Sequence, residues 1–362
     1  MRFKGTALLA AALVGIISYY FLIGLPSEKR KNKEKDRAEK VILFDPENVK
    51  GISFTKGEVT ITLKGLGIDE WQMTAPVNAK GDALAVSEFL SFLSNLNFTR
   101  VVEESSKDLS PFGLDTPGLR IILSMNNGET KGVRVGDDHP MGNKVYLALL
   151  KGSQVLAAGV TKNRLDRSAH DLRDKTILDF KTPLIKKIEF IRNGKTLNLI
   201  KDKESWQVLE NRISAKGNET EITNLLNKIQ AAQIEQFVEE NSKQLTFYGL
   251  NNPKLTVKLT TLKSKEPLTL LVGNKNEHGF YAKTLLKKNV FTIGQSLFDS
   301  LNNREFVHFL NKSLVDFNDN DVIKMTLRMD NVTVDLIRNK KDLQEWTMQQ
   351  PIEMKANTST IN

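Results

Sequence analysis

A chain that repeats itself in constant register has to fold as duplicated units, and this one does. Residues 100–117 and 236–253 are identical at nine of eighteen positions, with an unbroken offset of 136. The phrase Phe112-Gly113-Leu114-Asp115-Thr116-Pro117 returns as Tyr248-Gly249-Leu250-Asn251-Asn252-Pro253. Glycine admits a left-handed backbone, Asp or Asn favours a local turn, and proline extends the residue before it, so the phrase reads as a turn that launches a strand. The three tryptophans keep the same rhythm: Trp206 follows Trp71 by 135 residues, and Trp346 follows Trp206 by 140. Each leads a short strand that runs into a helix start, at Lys80-Gly81-Asp82, Lys216-Gly217-Asn218 and Lys355-Ala356-Asn357. Trp71, Trp206, Trp346, Gly113, Leu114, Pro117, Gly249, Leu250 and Pro253 form the repeat signature. The period is longer than that of solenoids and close to a domain length, which points to tandem domains.

Period-two alternation predicts strands at Val49–Phe54, Val59–Leu63, Trp71–Met73, Leu119–Met125, Gly132–Val135, Val145–Leu149 and Val155–Ala158. The second half echoes the last four at Leu255–Thr260, Leu268–Val272, Phe280–Lys283 and Val290–Ile293. Asp82 is placed to cap a helix whose Val86, Phe89, Leu90, Leu93 and Leu96 share one face. A closing helix is expected near Lys162–Asp171 and again at Gln295–Leu301. Leu178-Asp179-Phe180 recurs as Val315-Asp316-Phe317, which sets module edges. The expectation is an α+β fold of about seven short strands and two helices per module. Modules occupy residues 42–180 and 181–317, with an incomplete third over 318–362.

The uncharged run Thr6–Gly24 is long enough to predict a transmembrane anchor over residues 1–26, followed by a charged stalk over 27–41. A cleaved signal peptide is the rival, but the run is longer than usual and no small-x-small site follows it. Lys and Arg flank both ends, and the flanking charge alone favours neither orientation. This segment also explains the net charge of +9: residues 1–40 carry nine Lys/Arg against four Asp/Glu, leaving only +4 for the remainder. A nucleic-acid surface needs clustered cations and is not expected. The absence of cysteine rules out disulfides and thiolate chemistry.

Four groups of residues invite a chemical reading. Asp137-Asp138-His139 resembles a fragment of a metal site, but three ligands in one turn do not converge, and a polar turn is the plainer account. Glu103-Glu104 and Glu239-Glu240 suggest acid/base pairs, yet neighbours on a strand face opposite sides. His170, near Asp171 and Arg173, lacks any accompanying nucleophile signature. The tryptophans suit a sugar-stacking ladder or, more simply, a core position in each repeat. Catalytic, cofactor-binding and metal residues are therefore all expected to be absent.

The whole pattern resembles a family. A hydrophobic N-terminus precedes W-x-x-x-x-P (Trp71 to Pro76, Trp346 to Pro351), K-G/A-D/N, F/Y-G-L-D/N-x-P, a Val-Gly hairpin and Asp171-Leu-Arg-Asp-Lys175. Together these are similar to a bacterial repeat domain of unknown function found with gliding-motility-type ABC transporter systems. The resemblance departs at Arg212-Ile213, where no proline stands, and at His308-Phe-Leu-Asn-Lys312, where Leu310 replaces Arg173. It implies a non-enzymatic, single-span accessory protein of the inner membrane, with extracytoplasmic modules that bind a transporter partner. It identifies neither that partner nor an oligomeric state. An envelope glycan- or peptidoglycan-binding module and a metal-dependent hydrolase at Asp138-His139 are the alternatives. The first predicts exposed tryptophans and the second clustered acids.

Overall fold

The computed structural model describes residues 37–115, 118–140, 142–203, 205–312, 321–330, 332–339 and 345–357, with Leu13, Tyr20 and Ile361 singly. The first correction concerns fold class. The chain is mostly β-sheet rather than α+β, with nine strands where the sequence predicts seven. The first sheet contains β1 (Val49–Lys56), β2 (Val59–Gly67), β3 (Glu70–Ala75), β4 (Ala79–Lys80), β5 (Phe98–Glu103), β6 (Leu119–Met125), β7 (Thr130–Asp138), β8 (Val145–Leu149) and β9 (Val155–Ala158). The two strands missed are β4, too short to alternate, and β5, whose register shifts twice against β9 and so erases its period. In this copy one helix is substantial. It is α1 (Ala83–Ser94) here, and the expected closing helix is two single turns, α2 (Lys162–Leu165) and α3 (Ala169–Leu172). The second correction concerns the membrane. No helix among the described residues is long and apolar enough to cross one. Of the expected anchor, only Leu13 and Tyr20 are described, both exposed; the rest, with most of the stalk, lies outside the described residues. By Lys40, paired with Asn97, and Val41, which is buried, the chain has already joined the fold.

The sheet order is β4-β3-β2-β1-β6-β7-β8-β9-β5, antiparallel throughout. Two meanders run outward from the central β1–β6 pair, and β5 closes the far edge. Helix α1 connects β4 at one edge to β5 at the other. Its start is fixed by Asp82, whose carboxylate accepts from the Ala85 amide at 3.0 Å. Val86, Phe89, Leu90 and Leu93, spaced i, i+3, i+4, i+7, bury one face of it against Ile52, Phe54, Ile61, Leu63 and Met73 of the sheet. Phe54 meets Phe89 edge-to-face at 5.0 Å. Val101 is half-buried against this same cluster.

A second nine-stranded sheet repeats the first. Its strands are β10 (Ile185–Arg192), β11 (Lys195–Asp202), β12 (Ser205–Glu210), β13 (Ile213–Lys216), β14 (Gln236–Glu239), β15 (Leu255–Thr261), β16 (Leu268–Asn276), β17 (Gly279–Thr284) and β18 (Val290–Ile293). The order β13-β12-β11-β10-β15-β16-β17-β18-β14 is the first order with every label advanced by nine. Helix α4 (Glu219–Ala231), capped by Asn218 at 3.1 Å, buries Ile222, Leu225, Leu226 and Ile229; α5 (Gln295–Asn302) follows β18. A third, four-stranded sheet orders β19 (Lys324–Met329), β20 (Val332–Arg338), β21 (Trp346–Gln350) and β22 (Met354–Lys355) in sequence. The recurring phrase at Val315-Asp316-Phe317 lies outside the described residues.

By Cα proximity the chain falls into two compact units. The first comprises residues 1–179, 230–252 and 272–295; the second comprises 180–229, 253–271 and 296–362.

Candidate functional site

The repeat signature turns out to be a pair of backbone locks. At the first lock the Gly81 amide donates to the Trp71 carbonyl at 2.7 Å, and Gly217 does the same to Trp206 at 2.7 Å. A Cβ on Gly81 would stand 2.9 Å from the Trp71 Cβ, so glycine eases this close approach. Ala356 makes the corresponding bond to Trp346 at 2.9 Å. Trp206 and Trp346 are buried, at 3% and 2% exposure, whereas Trp71 is only half-buried. Pro76 and Pro351 follow cis peptide bonds at equal distance from their tryptophans.

The second lock is the Phe112-Gly113-Leu114 turn. Gly113 and Gly249 adopt φ of +66° and +69°, and Leu114 and Leu250 are buried. Each turn lies against the Val-Gly strand: a Cβ on Gly136 would collide with the Phe112 carbonyl oxygen, and one on Gly273 with that of Tyr248. Leu114 and Phe112 pack with Ala148, Val155 and Tyr146 on the sheet face opposite α1. Pro117 lies outside the described residues, and Pro253 is half-buried ahead of β15.

Within the first compact unit, Asp171-Leu-Arg-Asp-Lys175 builds the most chemically dense region. Ser168 caps α3 by a reciprocal bond with Asp171, which turns the next residues into an extended strap. That strap bonds along β4, with the Asp82 amide donating to Leu172 O at 2.8 Å and the Asp174 amide to Lys80 O at 2.9 Å. On its other side the Ile234 amide donates to Lys175 O at 2.8 Å. Arg173 is buried, its guanidinium carbon 3.6 Å from the Phe237 ring centroid and its two terminal nitrogens on both Glu240 oxygens at 2.6 and 2.8 Å. Such a fork is a strong, directional ion pair. An open cleft of about 500 Å³ lies beside it, bordered by Lys80, Arg173, Asp174, Phe237, Glu240 and Lys287.

Three of the cleft's cations are engaged with neighbouring groups, and Lys288 also borders it. Lys80 lies 3.8 Å from Asp174, Arg173 holds Glu240, and Lys287 donates to the Thr176 carbonyl. Burial holds the Lys287 ammonium below its ordinary pKa, with Asp174 pulling the other way. Burial, then the nearby Lys175 charge, likewise holds His170 below its usual value; its ring meets Phe237 edge-on at 5.8 Å. Chemically this is a staple lined by paired charge.

The remaining candidates are dispersed. Asp138 accepts from the Lys162 amide at 2.9 Å, Asp137 faces the Lys162 ammonium at 3.7 Å, and His139 lies against Tyr146. Among the described residues no three His, Asp or Glu side chains are placed to share a metal. Glu104 accepts from Gln154 at 2.8 Å, and Glu239 from the Tyr248 hydroxyl at 2.8 Å. The nearby Ser242 hydroxyl and the hydrogen bond from Tyr248 hold Glu239 below the ordinary carboxylate pKa. Glu103 ends β5. Sequence reasoning considered Arg173 and Glu240 separately and did not join them, and it overlooked Phe237 and Lys287. The available signal was disagreement between copies: Phe237 stands where copy one has Val101, and Leu310 where it has Arg173.

A family model described as Domain of unknown function (DUF4340) matches residues 71–242 and, in a second overlapping copy, residues 206–362, each match opening on a tryptophan of the signature. No match was found among curated proteins or among solved structures.

Proposed function

The chain belongs to the DUF4340 family, and from that premise we propose that it is a non-enzymatic binding protein, an accessory to an ABC-type transport complex of the cell envelope. The observation that carries the non-enzymatic part is how the conspicuous residues are employed. Signature glycines and tryptophans hold backbone locks, and Arg173, Glu240 and Lys287 hold one another or a carbonyl. An active site instead leaves acid, base or nucleophile converging on a space where substrate can sit. The transporter partner comes from the resemblance of the repeat pattern, an argument by analogy. A glycan-stacking role would need exposed tryptophan faces, and two of the three are buried. The test is in-cell crosslinking of the full-length chain followed by identification of the captured proteins. Recovery of a permease or ATP-binding subunit is expected. Recovery of neither, or substrate turnover by the purified full-length chain, would overturn the reading.

A further inference from the structure

Each tryptophan of the signature faces one residue across its ladder, and that residue differs between the copies. Arg338 pairs with Trp346 in the third sheet and Lys201 with Trp206 in the second, whereas Gly65 pairs with Trp71 in the first. Directly paired residues of an antiparallel ladder project from the same face, so a long opposing side chain can cover the indole. Arg338 does this: it is buried, with its guanidinium carbon 5.1 Å from the Trp346 ring centroid. Trp346 and Trp206, each opposite a cation, are 2% and 3% exposed, and Trp71, opposite glycine, is only half-buried. Among the described residues no cationic side chain lies over the Trp71 ring.

The backbone does not demand this glycine. Gly65 has no left-handed φ, and a Cβ there would meet the Lys50 carbonyl oxygen at the nearest of its strand neighbours and the Trp71 Cη2 at 3.8 Å, both ordinary contacts. An open cleft of about 600 Å³ lies beside Trp71. Val49, Leu90 and the exposed Ile68 give it aliphatic walls, and two exposed acids, Glu47 and Asp69, stand at its border. In the second copy, which supplies its own Lys201, Pro183 occupies the position of Glu47.

We propose that this cleft is a binding site for an organic cation, a guanidinium or alkylammonium group that takes beside Trp71 the place that Arg338 and Lys201 take in the other copies. A tryptophan face attracts such cations through its quadrupole, and more strongly as water is excluded. The aliphatic walls suit the methylene stem behind the charge, and the two carboxylates supply charge of the opposite sign. A neutral sugar could stack on the same ring, but it has no counterpart in the other two copies. An arginine or lysine side chain of another polypeptide and a free amine share the chemistry required. The inference is independent of the transporter assignment above, since it uses only the chain's own three copies.

The test labels the full-length chain with fluorotryptophan, giving one fluorine resonance per tryptophan, and Trp71→Phe identifies the one that belongs to the cleft. N-acetyl-arginine amide should shift the Trp71 resonance saturably, with a Kd on the order of 1–30 mM, and leave those of Trp206 and Trp346 in place. N-acetyl-citrulline amide, its neutral isostere, should bind at least about tenfold more weakly. Gly65→Arg, which gives the first copy the side chain of the third, should move the Trp71 resonance without ligand and weaken binding of the arginine amide at least about tenfold. Glu47→Gln combined with Asp69→Asn, both at exposed positions, should weaken it about threefold. The absence of a saturable shift at Trp71, equal binding of the citrulline compound, or undiminished binding to either variant folded by circular dichroism overturns the proposal. So does a neutral disaccharide that shifts the Trp71 resonance at lower concentration than the arginine amide. Repeating the in-cell crosslinking with Gly65→Arg separates the two sources of the cation. A captured protein lost in that variant supplies it from an arginine or lysine, and unchanged recovery assigns it to a free amine. If the arginine amide binds and crosslinking recovers no transporter subunit, the transporter assignment is what fails; in the converse case only this site is refuted.

Discussion

Replacing Arg173 by alanine should open the strap that it pins. The guanidinium makes two charge-assisted hydrogen bonds to Glu240, of a kind that contributes about 1.5–3 kcal/mol each when fully shielded. The Glu240 side chain is 45% exposed, so water competes, and about 1 kcal/mol for each bond is the reasonable figure. Stacking on Phe237 at 3.6 Å adds about 1 kcal/mol. Because Glu240 can rehydrate, no orphaned charge is left behind, and the total loss is about 2–3 kcal/mol. The amide of Ile234, bonded to Lys175 O beside the staple, reports this loss locally without requiring the whole chain to unfold in one step. Native-state hydrogen exchange there should quicken by roughly 30- to 150-fold. Glu240→Gln combined with Arg173→Ala in a double-mutant cycle should give a coupling of about 1–2 kcal/mol. A coupling below about 0.5 kcal/mol, or exchange at Ile234 unchanged in Arg173→Ala, would refute the staple.

Gly136→Ala should destabilise its sheet by about 3 kcal/mol or more, since the new methyl meets the Phe112 carbonyl; Thr130→Ala, exposed at the start of the same strand, serves as the near-neutral control in urea denaturation. Trp206→Ala should cost about 3–5 kcal/mol and half-buried Trp71→Ala clearly less, with equal losses in denaturation counting against the burial difference. His170 gives a pH dependence whose sign is fixed. Its folded pKa lies below the ordinary 6.5, so the unfolded chain takes the proton first; stability falls as pH drops through 6.5 and levels off below the folded pKa. His170→Gln should flatten that part of a stability-against-pH curve, and an unchanged slope would remove the assignment.

Legibility in the sequence followed local physics. Strands β6, β8, β9 and β18 have the bounds that alternation predicts, and α1 begins at the predicted Asp82 because a cap and an apolar stripe are both local signals. Strands β4 and β5 escaped, the first because two residues cannot show a period, the second because its bulges break one. Overcounting helix in the first copy had a related cause: residues 162–171 carry helix-forming side chains, but Asp166 and Ser168 are extended and split the segment into two turns. The staple was hidden for a different reason. Arg173 and Glu240 are 67 residues apart, and no spacing rule joins a strap to a strand that distant. Repetition did announce Gly113, Gly249 and the tryptophans, but it could not say that their conservation of pattern serves packing rather than ligand binding.

The discontinuity of the first compact unit bears on the order in which the protein can be made. Its last segment, residues 272–295, ends 116 residues beyond Asp179, where its first segment stops. At about 5–20 residues per second on the ribosome, that interval is roughly 6–23 s. Until its last few residues Arg173 has been synthesised while Lys287 has not, and through the first half neither Phe237 nor Glu240 exists to receive the guanidinium. The Lys175 carbonyl on the strap's outer edge likewise lacks its native partner until the Ile234 amide has been made.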